Sequence, residues 1–385
     1  MSFYQTQGNI PPKRHTIFKK NNDNGIFYEE HISREGFSNI YSNIYHYSMP
    51  TELIDINPQN EISYDIHNGD YRHRYIDTSK NLKKGDILSS RELLFYNSDI
   101  LISTGTISYE IKDFYKNAHY DELIYIQSGS AIFESNFGNI NLSFGDYLII
   151  PRGVIWRLKK IQSLKCLIAE SKGMIRTPKK YRNQFGQLLE HSPFCERDIT
   201  TPQLQNPIIR NGRFSIKVKY KNSIVDYTYR KHPFDVVGWD GFYFPYKLNI
   251  NDFEPITGSI HQPPPVHQTF EGDGFVVCSF VSRLFDYHPK AIPAPYPHSN
   301  VDSDELIYYS KGNFMSRKGI TPGSITHHPM GLPHGPQPGK YEKSIGKKKT
   351  NELAVMIDTF KPLVPTKFTL ANNKDNYFKS WSNKV

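Results

Sequence analysis

Two stretches of this chain repeat each other in order and in spacing. Residues 121–129 read DELIYIQSG and residues 304–312 read DELIYYSKG. Further along, residues 145–153 read GDYLIIPRG and residues 323–331 read GSITHHPMG. In each copy a Glu is followed by six residues and then a Gly, Glu122 to Gly129 and Glu305 to Gly312. In each copy a later Gly is followed by five residues and then Pro-x-Gly, ending at Gly153 and Gly331. Two matches in one order with equal internal spacing point to a duplicated unit. Glycines at these points suit tight turns between strands.

A chain of 385 residues is long enough for two cores. Its 26 Tyr and 24 Phe, set among 25 Gly and 26 Pro, favour strands over long helices. Segments 123–126, 131–134, 147–150 and 276–280 read as strands. Helices are expected only near Pro178 to Glu190 and near the C-terminus. The paired motifs resemble those of the cupin superfamily, a small antiparallel jelly roll. The expected fold is therefore all-β dominated, a bicupin of two jelly-roll barrels with minor helices. Residues 1–90 would form an N-terminal arm and strands, 91–175 the first barrel, 176–250 a connection and strands, and 251–385 the second barrel.

The net charge of +9 comes from scattered lysines. The one dense run, Lys347-Lys348-Lys349, reads as a loop tip, and no basic stripe of the nucleic-acid-binding kind is present. Cys166, Cys195 and Cys278 are odd in number and far apart, which argues against a disulfide framework or a Cys-based zinc site. The N-terminal residues lack the apolar core of a signal peptide, and the longest apolar runs are of strand length. A cytoplasmic protein without a membrane partner is expected.

Cupins place metal ligands at fixed points of these motifs, which here fall on His298, Glu305 and His334. Two imidazoles and a carboxylate form the facial triad of non-haem Fe(II) oxygenases. In the first copy the same positions hold Tyr115, Glu122 and Trp156, so that copy reads as structural. The separation of His298 and Glu305 is odd, which along one regular strand would set them on opposite faces. Asp304 has the matching parity and stays as the alternative ligand. A loop or bulge between Asn300 and Ser303 would restore Glu305. His328, at even spacing from His334, is expected in the pocket as a residue supporting the ligands.

Several further segments are more specific: GNIPPKRHTIFKK near the start, YEEHISREGFSNIYSNIYH at 28–46, VVGWDGFYFPY at 236–246, IHQPPPVHQTFE at 260–271, PYPHSNVDSDE at 295–305 and HPMGLPHGPQPG at 328–339. Together they resemble the homogentisate 1,2-dioxygenase family across nearly the whole chain. The resemblance implies an extradiol-type dioxygenase with one Fe(II). It would open the ring of homogentisate with O2 to give maleylacetoacetate in tyrosine and phenylalanine catabolism. It implies His298, Glu305 and His334 as ligands, and His261 as the residue acting on the substrate hydroxyl, with His267 as the fallback. Tyr296 and Arg317, with His328, would contact the substrate, Arg317 through its carboxylate. The family also implies a homo-oligomer, trimer or hexamer. Two other readings stand beside this one. One is a related cupin dioxygenase for another hydroxylated aromatic acid such as gentisate. The other is a bicupin that binds without catalysis.

Overall fold

Short runs of alternating apolar side chains, broken by Gly, Pro and Asn, fold here almost entirely into antiparallel strands. The computed structural model describes residues 3–21, 25–34, 40–57, 60–61, 70–80, 82–262 and 264–382. Seven strands organise the two repeats. In the first they are β1 (Asp121–Ser135), β2 (Asp146–Ile150) and β3 (Ile155–Ser171). In the second they are β4 (Phe275–Phe280), β5 (Asp304–Lys311), β6 (Ile325–His328) and β7 (Leu353–Thr359).

The duplication extends to register. Strand β1 lies between β2 and β3, so that Glu122 faces Ile150 on one side and Glu170 on the other. Strand β5 lies between β6 and β7, so that Glu305 faces His328 and Asp358. The repeat glycines have the same backbone in both copies. Gly129 and Gly312 have φ of 85° and 98°, and Gly153 and Gly331 have φ of 89° and 75°. This left-handed region penalises any side chain, which explains why glycine stands at these turns and, for Gly129, at a register irregularity within β1.

Other parts of the chain complete these sheets. Tyr246–Asn249 pairs with β2, and Asn211–Tyr220 runs parallel to Phe114–Asn117. Arg74–Ile76, from the N-terminal arm, pairs with β6 and so borders the second repeat's ladder. Gln5–Gly8, Tyr28–Ser33, Tyr41–His46 and Val236–Gly241 form a separate four-stranded sheet.

The alternation on β5 decides what is core and what is cavity. Leu306 and Tyr308 point into a hydrophobic cluster shared with Leu123, Tyr125 and Leu148 of the first repeat. Removing these apolar side chains from water holds the repeats together. Buried tyrosines at the seam keep hydrogen-bond partners, Tyr125 Oη to Ser310 Oγ at 2.8 Å and Tyr147 Oη with Ser279 Oγ at 2.8 Å. Glu305, Ile307 and Tyr309 point the other way, into a cavity.

The helix expected over Pro178 to Glu190 is not formed. A single 3-10 turn, Lys179–Tyr181, is followed by a turn in which the Asn183 carboxamide accepts from the Phe185 and Gln187 amides. That side chain satisfies backbone donors that a helix would have used, and Gly186 at φ 86° fits the turn. Near the C-terminus a short α-helix, Lys367–Ala371, does form, with the Thr366 side chain accepting from Thr369 N at its N-cap. Among the described residues no helix is long and apolar enough to cross a membrane. The three cysteines are not disulfide-bonded, and Lys347–Lys349 is exposed where a loop enters a two-residue strand.

Candidate metal centre

Strand β5 carries Glu305 inward, and the chain on either side of the sheet returns to it. His298 precedes β5 in a non-strand segment, so its spacing to Glu305 is not governed by strand parity. It is held by a two-way backbone bridge with His334, each N–H donating to the other carbonyl at 2.8 Å. This bridge sets the two imidazoles 4.4 Å apart, ring centre to ring centre, beside the Glu305 carboxylate. His298 Nε2 lies 4.0 Å from Glu305 Oε2, and His334 Nε2 lies 3.6 Å from Glu305 Oε1. One ligand atom from each of the three falls within 4.8 Å of the others.

The hydrogen bonds around the histidines fix which nitrogen faces inward. His298 Nδ1 donates to the Tyr296 carbonyl at 3.1 Å and His334 Nδ1 to the Leu332 carbonyl at 3.0 Å. A carbonyl can only accept, so each Nδ1 carries a proton and, in the neutral ring, each Nε2 is a bare lone pair. His334 Nε2 is buried and has no hydrogen-bond partner. A lone pair and a carboxylate oxygen facing each other in a buried site repel, and a cation between them removes the repulsion. The donor set therefore fits a divalent first-row metal such as Fe(II).

His328 supports this arrangement from the neighbouring strand. It is fully buried, donates Nδ1–H to Glu305 Oε1 at 2.7 Å, and stacks on His334 at 4.6 Å and 14°. Burial outweighs its bond to Glu305 and, with Arg317 near, holds it well below the usual histidine range, so it is neutral. Burial alone would raise the Glu305 carboxyl. The contacts with His328 and His334 together outweigh burial and hold it well below the usual carboxylate range, ready to ligate.

Asp304 turns to the other face. It accepts from His327 Nε2 at 2.9 Å, Met330 N at 2.8 Å and Leu363 N at 2.8 Å. Those bonds overcome the upward push of burial and leave it ionised. Glu305, not Asp304, meets the two histidines.

In the first repeat Tyr115 and Trp156 pair in register with their rings 5.3 Å apart, and Tyr115 Oη lies 3.3 Å from Glu122 Oε1. A cation of the chain meets this carboxylate: Arg91 Nη1 is 2.6 Å from Glu122 and 3.4 Å from Glu170. Lys219 Nζ adds a second cation at 2.6 Å from Glu170.

The cavity in front of Glu305 measures about 460 Å³ and is lined by all the other expected residues except His328 and His334. His261 sits at its rim, half-exposed, with Nδ1 3.5 Å from Asp286 and its ring 5.2 Å from Tyr296. Tyr296 is itself exposed at the rim. His267 is buried deeper, against Phe280. Burial, with Arg283 nearby, lowers it to about 3, so it is neutral. Arg317 is buried, stacks on Trp381 at 5.5 Å and donates Nη1–H to the Gly335 carbonyl. Its Nε has no partner, and among the described residues it forms no ion pair. A buried guanidinium without a counter-charge marks a place for an anion.

Three residues at the site escape notice in the sequence. His73 packs its ring against His328 and His334 at 5.5 and 6.1 Å, and Trp381 lies 5.0 Å from His73. Asp358 lines the cavity opposite Glu305. His73 and Trp381 lie far from the motifs in the chain. Asp358 sits in an otherwise largely apolar strand and shows itself only through pairing, which sets it across from Glu305 as Glu170 is set across from Glu122.

Comparison with known proteins bears on the family of the chain. The homogentisate 1,2-dioxygenase N-terminal family model matches residues 96–250. A Saccharolobus solfataricus protein provisionally named a dioxygenase is 42% identical over 386 residues, covering 99% of each chain. Mouse homogentisate 1,2-dioxygenase is 26% identical over 327 residues, covering 78% of this chain and 72% of its own. Among solved structures, a cupin 2 conserved barrel domain protein from Leptotrichia buccalis matches 78% of this chain and all of its own, at 11% identity and a TM-score of 0.34, too loose a likeness to carry a functional reading. With a relative 42% identical over 99% of both chains and the family-model match, the chain belongs to the homogentisate dioxygenase family.

Proposed function

We propose that this protein is an Fe(II)-dependent dioxygenase that converts homogentisate and O2 to maleylacetoacetate, within the breakdown of tyrosine and phenylalanine. The observation that carries the reading is the His298–Glu305–His334 donor set beside a cavity that His298 and Glu305 line together with Arg317, which is buried and has no ion-pair partner among the described residues. The first suits a metal, and the second suits the carboxylate of a small aromatic acid. A bound Fe(II) would supply the Lewis acid and the electronic link between an electron-rich ring and O2.

The residues of the chain then have separable tasks. His298, Glu305 and His334 hold the metal, and His328 keeps Glu305 ionised and aimed. Arg317 orients the acetate side chain, with Tyr296 at the cavity mouth. His261, turned by Asp286 on its Nδ1 side, takes or shares the proton of a ring hydroxyl through Nε2, which raises electron density in the ring. His267, buried and neutral, is the alternative for that role. Both atoms of O2 end in the product, so no further reductant is needed.

Protein reconstituted with Fe(II) under anaerobic conditions and then given homogentisate and O2 should consume them in equal amounts. It should form a product with strong near-ultraviolet absorbance. Turnover of gentisate but not homogentisate in the same assay would move the assignment to another hydroxylated aromatic acid. Iron-loaded protein that turns over neither would favour a binding role.

A further inference from the structure

Strand register places a second carboxylate beside the motif glutamate in both repeats. Glu122 faces Glu170 across β1 and β3, and Glu305 faces Asp358 across β5 and β7. In the first repeat the second carboxylate is fully matched. Glu170 accepts from Lys219 Nζ at 2.6 and 2.8 Å and from Asn117 Nδ2 at 2.9 Å, with Arg91 close by. In the second repeat Asp358 lies on the cavity wall, has no cation within ion-pair distance among the described residues, and has a buried Oδ1 with no hydrogen-bond partner. A buried acceptor left open this way costs stability, and such groups persist where a ligand satisfies them.

Among the acids lining this cavity, Glu305 is engaged by His328, Glu352 faces Arg283 at 3.7 Å, and Asp286 faces His261. Asp358 is the remaining one. An aromatic acid with two ring hydroxyls, bound through one of them at the metal, carries its second hydroxyl as a donor into the same cavity.

We infer that Asp358 is a specificity-determining residue that accepts a hydrogen bond from the substrate's second ring hydroxyl. The inference rests on the dihydroxylated aromatic acid proposed above. It does not depend on the charge of Asp358, because a carboxyl group accepts from a hydroxyl whether or not it is protonated. A site built to pair a hydroxyl discriminates against the analogue that lacks it, since the buried acceptor is then left open.

The test is binding to the intact protein loaded with Zn(II), which occupies the donor set without redox chemistry. Calorimetric titration compares 2,5-dihydroxyphenylacetate with 2-hydroxyphenylacetate for the natural protein, Asp358→Asn and Asp358→Ala. The natural protein should prefer the dihydroxy acid by about tenfold or more. Asp358→Ala should erase most of that preference by weakening the dihydroxy acid alone. Asp358→Asn, whose amide oxygen still accepts, should retain part of it. Thermal melting and zinc content confirm that the variants fold and load. An unchanged preference in Asp358→Ala would overturn the inference and leave the substrate reading intact, as would zinc loss without a change in preference. If the natural protein bound neither acid, the substrate reading would fall and this inference with it.

Discussion

Arg91 Nη1 lies 2.6 Å from Glu122 Oε1, whereas the matching Glu305 faces two imidazole nitrogens, His334 Nε2 at 3.6 Å and His298 Nε2 at 4.0 Å. Glu122 and Glu305 are the same residue at the same register position. What differs is the partner: Glu122 meets a cation of the chain itself, and on the proposed function the cation at Glu305 comes from solution. The purified protein should therefore bind one iron per chain. Elemental analysis checks this, and a value near two would contradict the role given to Arg91. Arg91→Ala leaves two carboxylates buried without that cation and should cost about 3–5 kcal/mol in urea unfolding.

Substitutions at the adjacent acids should separate cleanly. Glu305→Ala should abolish iron binding while the protein still folds. Asp304→Asn should keep the iron but lose about 1–3 kcal/mol of stability, because its three donors face a weaker acceptor. Iron content and urea unfolding on the same preparations check both, and the opposite pattern would return the ligand role to Asp304.

Loss of the Arg317 fork should weaken a carboxylate substrate far more than it slows the bound one. Arg317→Met, which keeps much of the packing on Trp381, should raise KM for homogentisate by about tenfold to a hundredfold with a smaller fall in kcat. Steady-state oxygen consumption measures the split. A pure fall in kcat would show that Arg317 does not hold the carboxylate.

Away from the centre, His46 makes stability pH-dependent. It is buried, and bonds to Asp235 at 2.8 Å and Glu30 at 2.9 Å outweigh that burial and raise it to about 9. A raised value means the charged form stabilises the fold. The contribution, on the order of 1–3 kcal/mol, is complete below the unfolded value of about 6.5 and is lost as pH climbs through about 9. Urea midpoints measured between pH 6 and pH 10 should fall over that window, and the fall should shrink in His46→Gln.

Much of the fold was readable because each motif of the repeat keeps its internal spacing. Glu122 and Glu305 keep one register, and the glycines that close each turn share one backbone conformation. The convergence of His298, Glu305 and His334 was readable from the same motifs. The parity objection to Glu305 dissolved because His298 is held by a bridge to His334 and not by the strand, a contact that sequence spacing does not encode. The supposed helix after Pro178 failed on a side-chain capture by Asn183 that competes with helical hydrogen bonding. Asp358 and His73 were missed for different reasons. Asp358 becomes visible only once strand pairing is known, and His73 reaches the site through tertiary packing alone.

The pairing of Arg74–Ile76 with β6 has a consequence for how the molecule can be divided. The half of the gene that encodes all three donors does not encode a complete sheet to hold them. A fragment beginning after the first repeat would leave β6, the strand that bears His328, with an unpaired edge. Ligand set and scaffold are thus spread over both ends of the chain, and the smallest working unit is close to the whole protein.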